Sequence, residues 1–257
     1  MPTQPRLARD LERLGIAPGD LVMVHASLRA VGPVAGGGDT VMRALLDAVG
    51  ESGTLAAYVD WEDEGSPFDP AASRAARSHG VLAELLRGWP GARRSLNPGA
   101  SMAAVGARAE WLCADHPLRY GYGPGSPLAK LVEAGGKVLL LGSSLENVTL
   151  LHHAEDVARL AGKRVLRFAQ PIVVDGVERR VEIEEFDTEH PVVPDAPDDY
   201  FGALVADALA AGLASTGPVG GATAHLFAAR PLHEFAVGWM EARWGDVDSG
   251  SARSSRE

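Results

Sequence analysis

Eight consecutive residues, Thr149-Leu150-Leu151-His152-His153-Ala154-Glu155-Asp156, hold the densest chemical potential of the 257-residue chain. Read as a helix, His152 and Glu155 stand three apart and share a face, while His153 points about 100° away. A carboxylate beside an imidazole raises its basicity and fixes its tautomer, which suits a general base. The same pair also occurs as an ordinary polar contact on a helix face. His152 with Asp156, four apart, offers two ligands to a metal instead, with a third from His25 or elsewhere, although His-Glu-x-x-His is absent. Proton abstraction by His152 and metal-dependent hydrolysis are therefore the two chemistries open to this segment.

Two further stretches suit an anionic ligand. His25-Ala26-Ser27-Leu28-Arg29 runs into the flexible Gly32-to-Gly38 loop, whose backbone amides, with Ser27 and Arg29, suit a phosphate. It contains neither Gly-Lys-Ser/Thr nor Gly-x-Gly-x-x-Gly, and a plain linker has the same composition. Arg93-Arg94-Ser95 through Ser101 is a second candidate anion clamp, or simply a basic surface loop. Ser27 and Ser143 lie outside Gly-x-Ser-x-Gly, so a hydrolase nucleophile has little support.

These residues require elements to hold them. Apolar runs alternate with amphipathic segments, which predicts an α/β fold: strands over Leu21–Val24, Thr54–Val59, Ser101–Val105 and Lys137–Leu141, and helices from Asp39 (as N-cap) to Val49, Val81–Arg87, Ala107–Ala114, Asn147–Leu160, Asp199–Ala211 and Pro231–Arg243. Asp175-Gly176 between two apolar runs predicts an added antiparallel hairpin within Arg164–Glu185. The expected architecture is a mixed central sheet with flanking helices, in a single catalytic domain over 1–244 with insertions near 60–80 and 182–200. The tail from 245 to 257 is Ser- and charge-rich and is expected to be disordered. Ligands in such sheets bind beyond the carboxyl ends of strands, which points to His25, Asp60 and the Gly142-to-Thr149 turn.

Charge separates the chain into unlike parts. The formal net charge is −10. Asp60 to Asp69 holds five acids and Glu182 to Asp199 holds eight, with no base in either; elsewhere 24 bases face 21 acids. The balance argues against a nucleic-acid binder, which needs a basic footprint, and suits a cationic partner or plain solvated loops. No apolar run reaches the roughly 18 residues of a membrane span, and residues 1–12 read as an amphipathic helix rather than an export signal. A soluble, cytoplasmic protein is expected. The single Cys113 excludes a disulfide framework and a cysteine zinc site.

Taken together, several stretches resemble the aminoglycoside 3-N-acetyltransferase family of antibiotic-resistance enzymes. They are Gly19 to Pro33, Phe68-Asp69-Pro70, Arg93-Arg94-Ser95, Pro98, Ser101 to Gly106, Tyr122-Gly123 with Ser126-Pro127, Leu139 to Gly142, Val148-Thr149 with Leu151-His152, Ala154-Glu155, and Phe186-Asp187-Thr188. The likeness spans about Leu14 to Trp244; Asn97 departs from it, since many members carry His before the Pro. The resemblance implies a fold unlike that of the GNAT acetyltransferases, and the chain contains no Arg/Gln-x-x-Gly-x-Gly/Ala loop. It implies acetyl-CoA as donor, the 3-amino group of a 2-deoxystreptamine ring as acceptor, and no metal, membrane or nucleic-acid partner, in a monomer or homodimer. By position it implies His152 as general base with Glu155 as acidic partner. His25, Ala26, Ser27, Leu28, Arg29, Val31, Arg94, Ser95 and Ser101 would lie along CoA. Asp60, Trp61, Glu62, Asp63, Asp187 and Glu189 would face the aminoglycoside. A relative acting on another amine is the alternative.

Overall fold

The computed structural model describes residues 1–61, 66–187, 190–194 and 196–245. Helix α1 (Gln4–Leu14) leads to strand β1 (Leu21–Ala26), the single turn α2 (Leu28–Val31), helix α3 (Gly37–Val49) and strand β2 (Thr54–Tyr58). A 3-10 turn, Arg77–His79, runs into helix α4 (Gly80–Arg87), followed by strands β3 (Arg93–Arg94) and β4 (Met102–Gly106). Helices α5 (Ala109–Cys113) and α6 (Pro127–Glu133), strand β5 (Lys137–Leu141) and helix α7 (Leu150–Val157) follow. The chain continues through β6 (Val165–Val174), β7 (Val177–Phe186), helix α8 (Tyr200–Ala210), β8 (Ala214–Val219), β9 (Ala222–Ala228) and helix α9 (Ala229–Trp244).

Seven strands form one mixed sheet in the order β3-β4-β2-β1-β5-β9-β8. Its centre, β2-β1-β5, is parallel, and both flanks are antiparallel. Successive residues of β1 enter opposite cores: Leu21 and Met23 pack with α5, α6, α7, α8 and α9, whereas Val22 and Val24 pack with α1, α3 and α4. That two-sided burial is why β1 and β5 read as continuous apolar runs. Strands β6 and β7 form a separate two-stranded ribbon, in a register that places Asp175-Gly176 at the turn with φ of 52° and 74°, the positive values a two-residue hairpin turn requires.

Several expected boundaries shift for local reasons. Helix α3 begins at Gly37 behind Gly36 at φ 84°, so Asp39 lies in its first turn rather than at the N-cap, where its charge still faces the positive end of the helix. Helix α9 starts two residues before Pro231, because a proline in the first turn removes no internal hydrogen bond. The helix expected over 147–160 is shorter, since Ser144 to Thr149 turns tightly at the mouth of the site before α7 begins. Strands β8 and β9 and helix α6 were not expected. Strand β9 buries Ala222, Ala224 and the adjacent pair Leu226-Phe227, so large residues do not alternate along it, and β8 tolerates Pro218 as the sheet's edge strand. Of the expected tail, residues 246–257 lie outside the described residues.

Candidate active site

The carboxyl ends of β1 and β5 open into a cleft of about 730 Å³, walled by Val24 to Arg29, Tyr58, Asp60, Ser78 to Ala83, Gly142 to Ser144 and the start of α7. Gly142 makes the turn after β5 possible. Its φ is 66°, and a Cβ there would lie 2.5 Å from Ala30 Cβ and 2.9 Å from Ala222 Cβ. The turn is locked by Ser143, whose hydroxyl donates to the His25 carbonyl at 3.2 Å. Ser27 N–H donates to Leu141 O at 3.0 Å, while Ser27 Oγ accepts from Ala30 N–H at 3.3 Å. Arg29 is exposed at the cleft's edge.

On the opposite wall, α7 presents His152. Its Nδ1 lies 2.6 Å from Glu155 Oε2, so the Nδ1–H donates to the carboxylate and the Nε2 lone pair is left for the cleft. Tyr200, at the start of α8, donates its hydroxyl to Glu155 Oε1. Both carboxylate oxygens are therefore engaged, and the Glu155 side chain is only 4% exposed against 21% for His152. Tyr122 and Phe201 flank the imidazole at ring-centroid separations of 4.9 and 5.0 Å, fixing its plane. Thr149, one turn earlier, also lines the cleft, and its hydroxyl makes no capping bond.

His153 turns away, as the helical spacing requires. It stacks on His233 at 4.8 Å, and Nδ1 lies 2.7 Å from Tyr122 O. Asp156 also diverges from His152: its carboxyl sits against Gly123 and near Lys163. The His152–Asp156 metal pairing is thus not formed, and the described residues contain no cluster of three or more His, Cys, Asp or Glu suited to a metal.

The floor of the cleft is aromatic. Tyr58 and Tyr122 hydroxyls meet at 2.8 Å and both reach Gly99 O, at 2.7 and 3.0 Å. Asn97 holds that turn: Oδ1 accepts from Gly99 and Ala100 N–H, and Nδ2 donates to Pro117 O and to Glu185 Oε1 at 3.0 Å. Glu185 also accepts from Gly121 N–H, and burial pushes its carboxyl up to about 7.

The expected site residues separate into groups. His25, Ala26, Ser27, Leu28, Arg29, Asp60 and His152 line the cleft, and Glu155 backs it. Val31, Ser95 and Ser101 do not reach it: Val31 is buried, and neither serine has exposed surface. Ser95 Oγ accepts from Met102 N–H and meets His116, and Ser101 Oγ donates to Val59 O. Arg94 is also directed inward, donating to Ser101 Oγ, Ser73 O and Val59 O and covering the Phe68 ring at 4.8 Å. These four residues hold the cleft's scaffold. Trp61 lines an adjoining cavity of about 870 Å³ that shares Gly80 and Val81 with the cleft. Asp187 lies at the end of the hairpin, 3.0 Å from His190 Nδ1. Glu62, Asp63 and Glu189 lie outside the described residues.

No local pattern marks Tyr200 as part of the site, 45 residues from its partner. His79, whose Nε2 is hydrogen-bonded to Asp60 Oδ1, and Glu146 at the rim were missed for the same reason: nothing near them marks chemistry.

The fold and site define a class: a mixed α/β protein with a fixed imidazole, backed by a carboxylate and a tyrosine, facing a turn at the carboxyl end of its parallel strands. The aminoglycoside 3-N-acetyltransferase family model matches residues 23–241. Aminoglycoside N(3)-acetyltransferase III of Pseudomonas aeruginosa is 45% identical over 266 residues, covering 96% of each chain. The structure of AAC-IIIb with CoASH superposes with a TM-score of 0.92 at 48% identity, covering 95% of this chain and 98% of that one. AAC-VIa bound to sisomicin gives 0.90 at 38% identity, covering 95% and 99%. The chain belongs to the aminoglycoside 3-N-acetyltransferase family and thus to the transferases. No helix among the described residues is long and apolar enough to cross a membrane.

Proposed function

We propose that this protein transfers the acetyl group of acetyl-CoA to the 3-amino group of the 2-deoxystreptamine ring of aminoglycosides, directly, in a ternary complex, with His152 as general base. The observation that carries this reading is the His152–Glu155–Tyr200 arrangement, which leaves one imidazole nitrogen free over a cleft with unlike walls. CoASH in the related AAC-IIIb and sisomicin in AAC-VIa support the two substrates.

An aminoglycoside amine is mostly an ammonium at neutral pH and is not a nucleophile in that form. His152 Nε2 takes its proton; the imidazolium that results is stabilised by Glu155, whose charge is fixed by Tyr200 on its far oxygen. The neutral amine attacks the thioester carbonyl, so no protein nucleophile is needed. Thr149, on the same helical face as His152, donates its hydroxyl to the oxygen on which charge develops. Asp60 supplies negative charge to the acceptor side, and Arg29 supplies positive charge to the donor side.

A thiol-release assay with acetyl-CoA over an aminoglycoside panel, with the acetylated nitrogen located by NMR, tests the proposal. Thiol release dependent on an aminoglycoside, with acetylation at N3, is expected. Turnover only with other amines, or acetylation at another nitrogen, would replace the proposed acceptor chemistry.

A further inference from the structure

Across the cleft from His152 stands a second imidazole. His79 ends the 3-10 turn before α4, and its Nε2 is hydrogen-bonded to Asp60 Oδ1. The two side chains keep 23% and 27% of their surface, and both line the cleft. The Nδ1 edge of His79 makes no hydrogen bond within the described residues and is not sealed from solvent.

Its place in the fold is a seam. The next residue, Gly80, lies against the donor-side turn, where a Cβ would be 3.6 Å from Ala26 O. Its carboxylate partner follows β2 on the acceptor side. Between the two imidazoles runs the aromatic floor: His152 to Tyr122 at 4.9 Å, Tyr122 to Tyr58 at 6.5 Å, and Tyr58 edge-on to His79 at 4.7 Å.

Acyl transfer from a thioester to an amine moves protons at two places: nitrogen must lose one and sulfur must gain one. His152 is held at Nδ1 and between two rings, so it is poorly able to swing from one place to the other. We propose that His79, held by Asp60, is a second catalytic residue, the acid that protonates the departing thiolate. The proposal rests on the acetyl-CoA reading above. His152 first releases the ammonium proton to water; the amine lone pair then forms the C–N bond, and the second proton, now carried on nitrogen, passes to the freed His152 Nε2. The carbonyl re-forms as the C–S bond breaks, and the electron pair leaving on sulfur takes the proton from Nδ1 of protonated His79. His79 regains that proton from water, and Asp60 accepts the Nε2–H throughout. Protonation at sulfur prevents the thiolate from attacking the new amide and biases breakdown toward product.

The test compares acetyl donors of similar size but different leaving groups: the acetyl thioester of N-acetylcysteamine, an alkyl thiol, and that of 4-nitrothiophenol, whose thiolate leaves without a proton. Acetyl-CoA provides the reference, and wild type is compared with His79→Gln, which keeps a donor for Asp60 but no exchangeable acid. The expected result is a loss in kcat/KM of about 10²-fold, the scale of general acid catalysis, for acetyl-CoA and the alkyl thioester, with less than threefold loss for the aryl thioester. Dissociation constants for CoA and acceptor, by calorimetry, should stay within threefold, which also reports an intact fold. Equal losses with all three donors, or no loss with acetyl-CoA, would overturn the assignment. Absence of acetyl transfer by the wild-type protein would overturn the reading on which it rests.

Discussion

His152 and His79 each meet a carboxylate at the edge of the same cleft, yet the protein builds the two pairs by different means. The first pair lies within one helix, three residues apart, with its carboxylate sealed and its second oxygen engaged by Tyr200. The second joins residues 19 apart and is held by connections. Ala76 N–H donates to Asp60 O at 2.9 Å, Trp61 N–H to Pro98 O at 3.1 Å, and Phe68 is tied to the hairpin through Pro171 and Val173. One wall is thus fixed by secondary structure and burial, whereas the other is an assembly of long loops on a hairpin. Under the proposed chemistry, the helix-built wall is the one that takes a proton at a defined point, and the loop-built wall is the one that faces the acceptor.

The sharpest way to break that contrast is at His152. His152→Ala should lower kcat by about 10³- to 10⁴-fold in the thiol-release assay, while the acetyl-CoA dissociation constant changes less than threefold. Activity within tenfold of wild type would remove His152 from the chemistry and leave the helix-face reading of the pair standing. The donor wall is tested next at Gly142. Gly142→Ala forces a left-handed conformation on a residue with a Cβ and drives that Cβ into Ala30 and Ala222. A loss of about 3 kcal/mol in urea unfolding is expected from strain and overpacking together. Unchanged stability would show that the turn relaxes.

Acidification should act more gradually on both walls. Burial holds His25 at about 3 and His116 and His233 at about 4, below the ordinary 6.5. The unfolded chain takes up protons below pH 6.5 that the folded chain refuses. Each group therefore contributes stability that is complete above pH 6.5 and is lost as the pH falls toward the folded values. Glu185, raised to about 7 from 4.5, acts with the opposite sign: folded protein keeps a proton between those values that the unfolded chain releases, so its contribution falls as pH rises. Between pH 6.5 and 5 the net difference approaches two protons, roughly 2.7 kcal/mol per pH unit. Urea unfolding at pH 7, 6 and 5 should show stability falling with acidity, and more steeply in Glu185→Gln. A flat profile would contradict the neutral, buried state of these histidines.

What could be read from the sequence follows the same contrast. His152 and Glu155 were legible because a helix converts a spacing of three into a shared face, and the parallel core because β1 and β5 are apolar on both sides. Tyr200 and His79 were not, since their partners are brought by the fold from distant segments. Strands β8 and β9 were missed because Ala222, Ala224 and Pro218 give no alternating pattern of large residues. The acidic stretch Glu182 to Asp199 suits a cationic partner or solvated loops by composition, but Glu184 is paired with Arg119 and Arg167 at 2.6 and 3.0 Å, and Glu185 is buried under the floor. Charge counts give sign and amount; they do not say which carboxylates the protein has already engaged.

Arg93 and Arg94 present that lesson at its smallest scale. The two adjacent arginines invite reading as one anion clamp, but a strand sends them to opposite sides. Arg93 reaches Glu110 at 2.6 Å with both side chains more than half exposed, a setting in which an ion pair contributes less than about 1 kcal/mol. Arg94 is turned inward, joining the end of β2 to Ser73 and Phe68. Arg94→Gln should therefore loosen the acceptor wall and raise the aminoglycoside KM severalfold, with little change for acetyl-CoA. Arg93→Gln should alter both KM values less than twofold and the melting temperature by no more than about 2 °C. If Arg93→Gln instead weakened acetyl-CoA alone, the exposed arginine would belong to the donor side after all, and the division of the cleft into an anion-facing turn and a loop-built acceptor wall would have to be redrawn at β3.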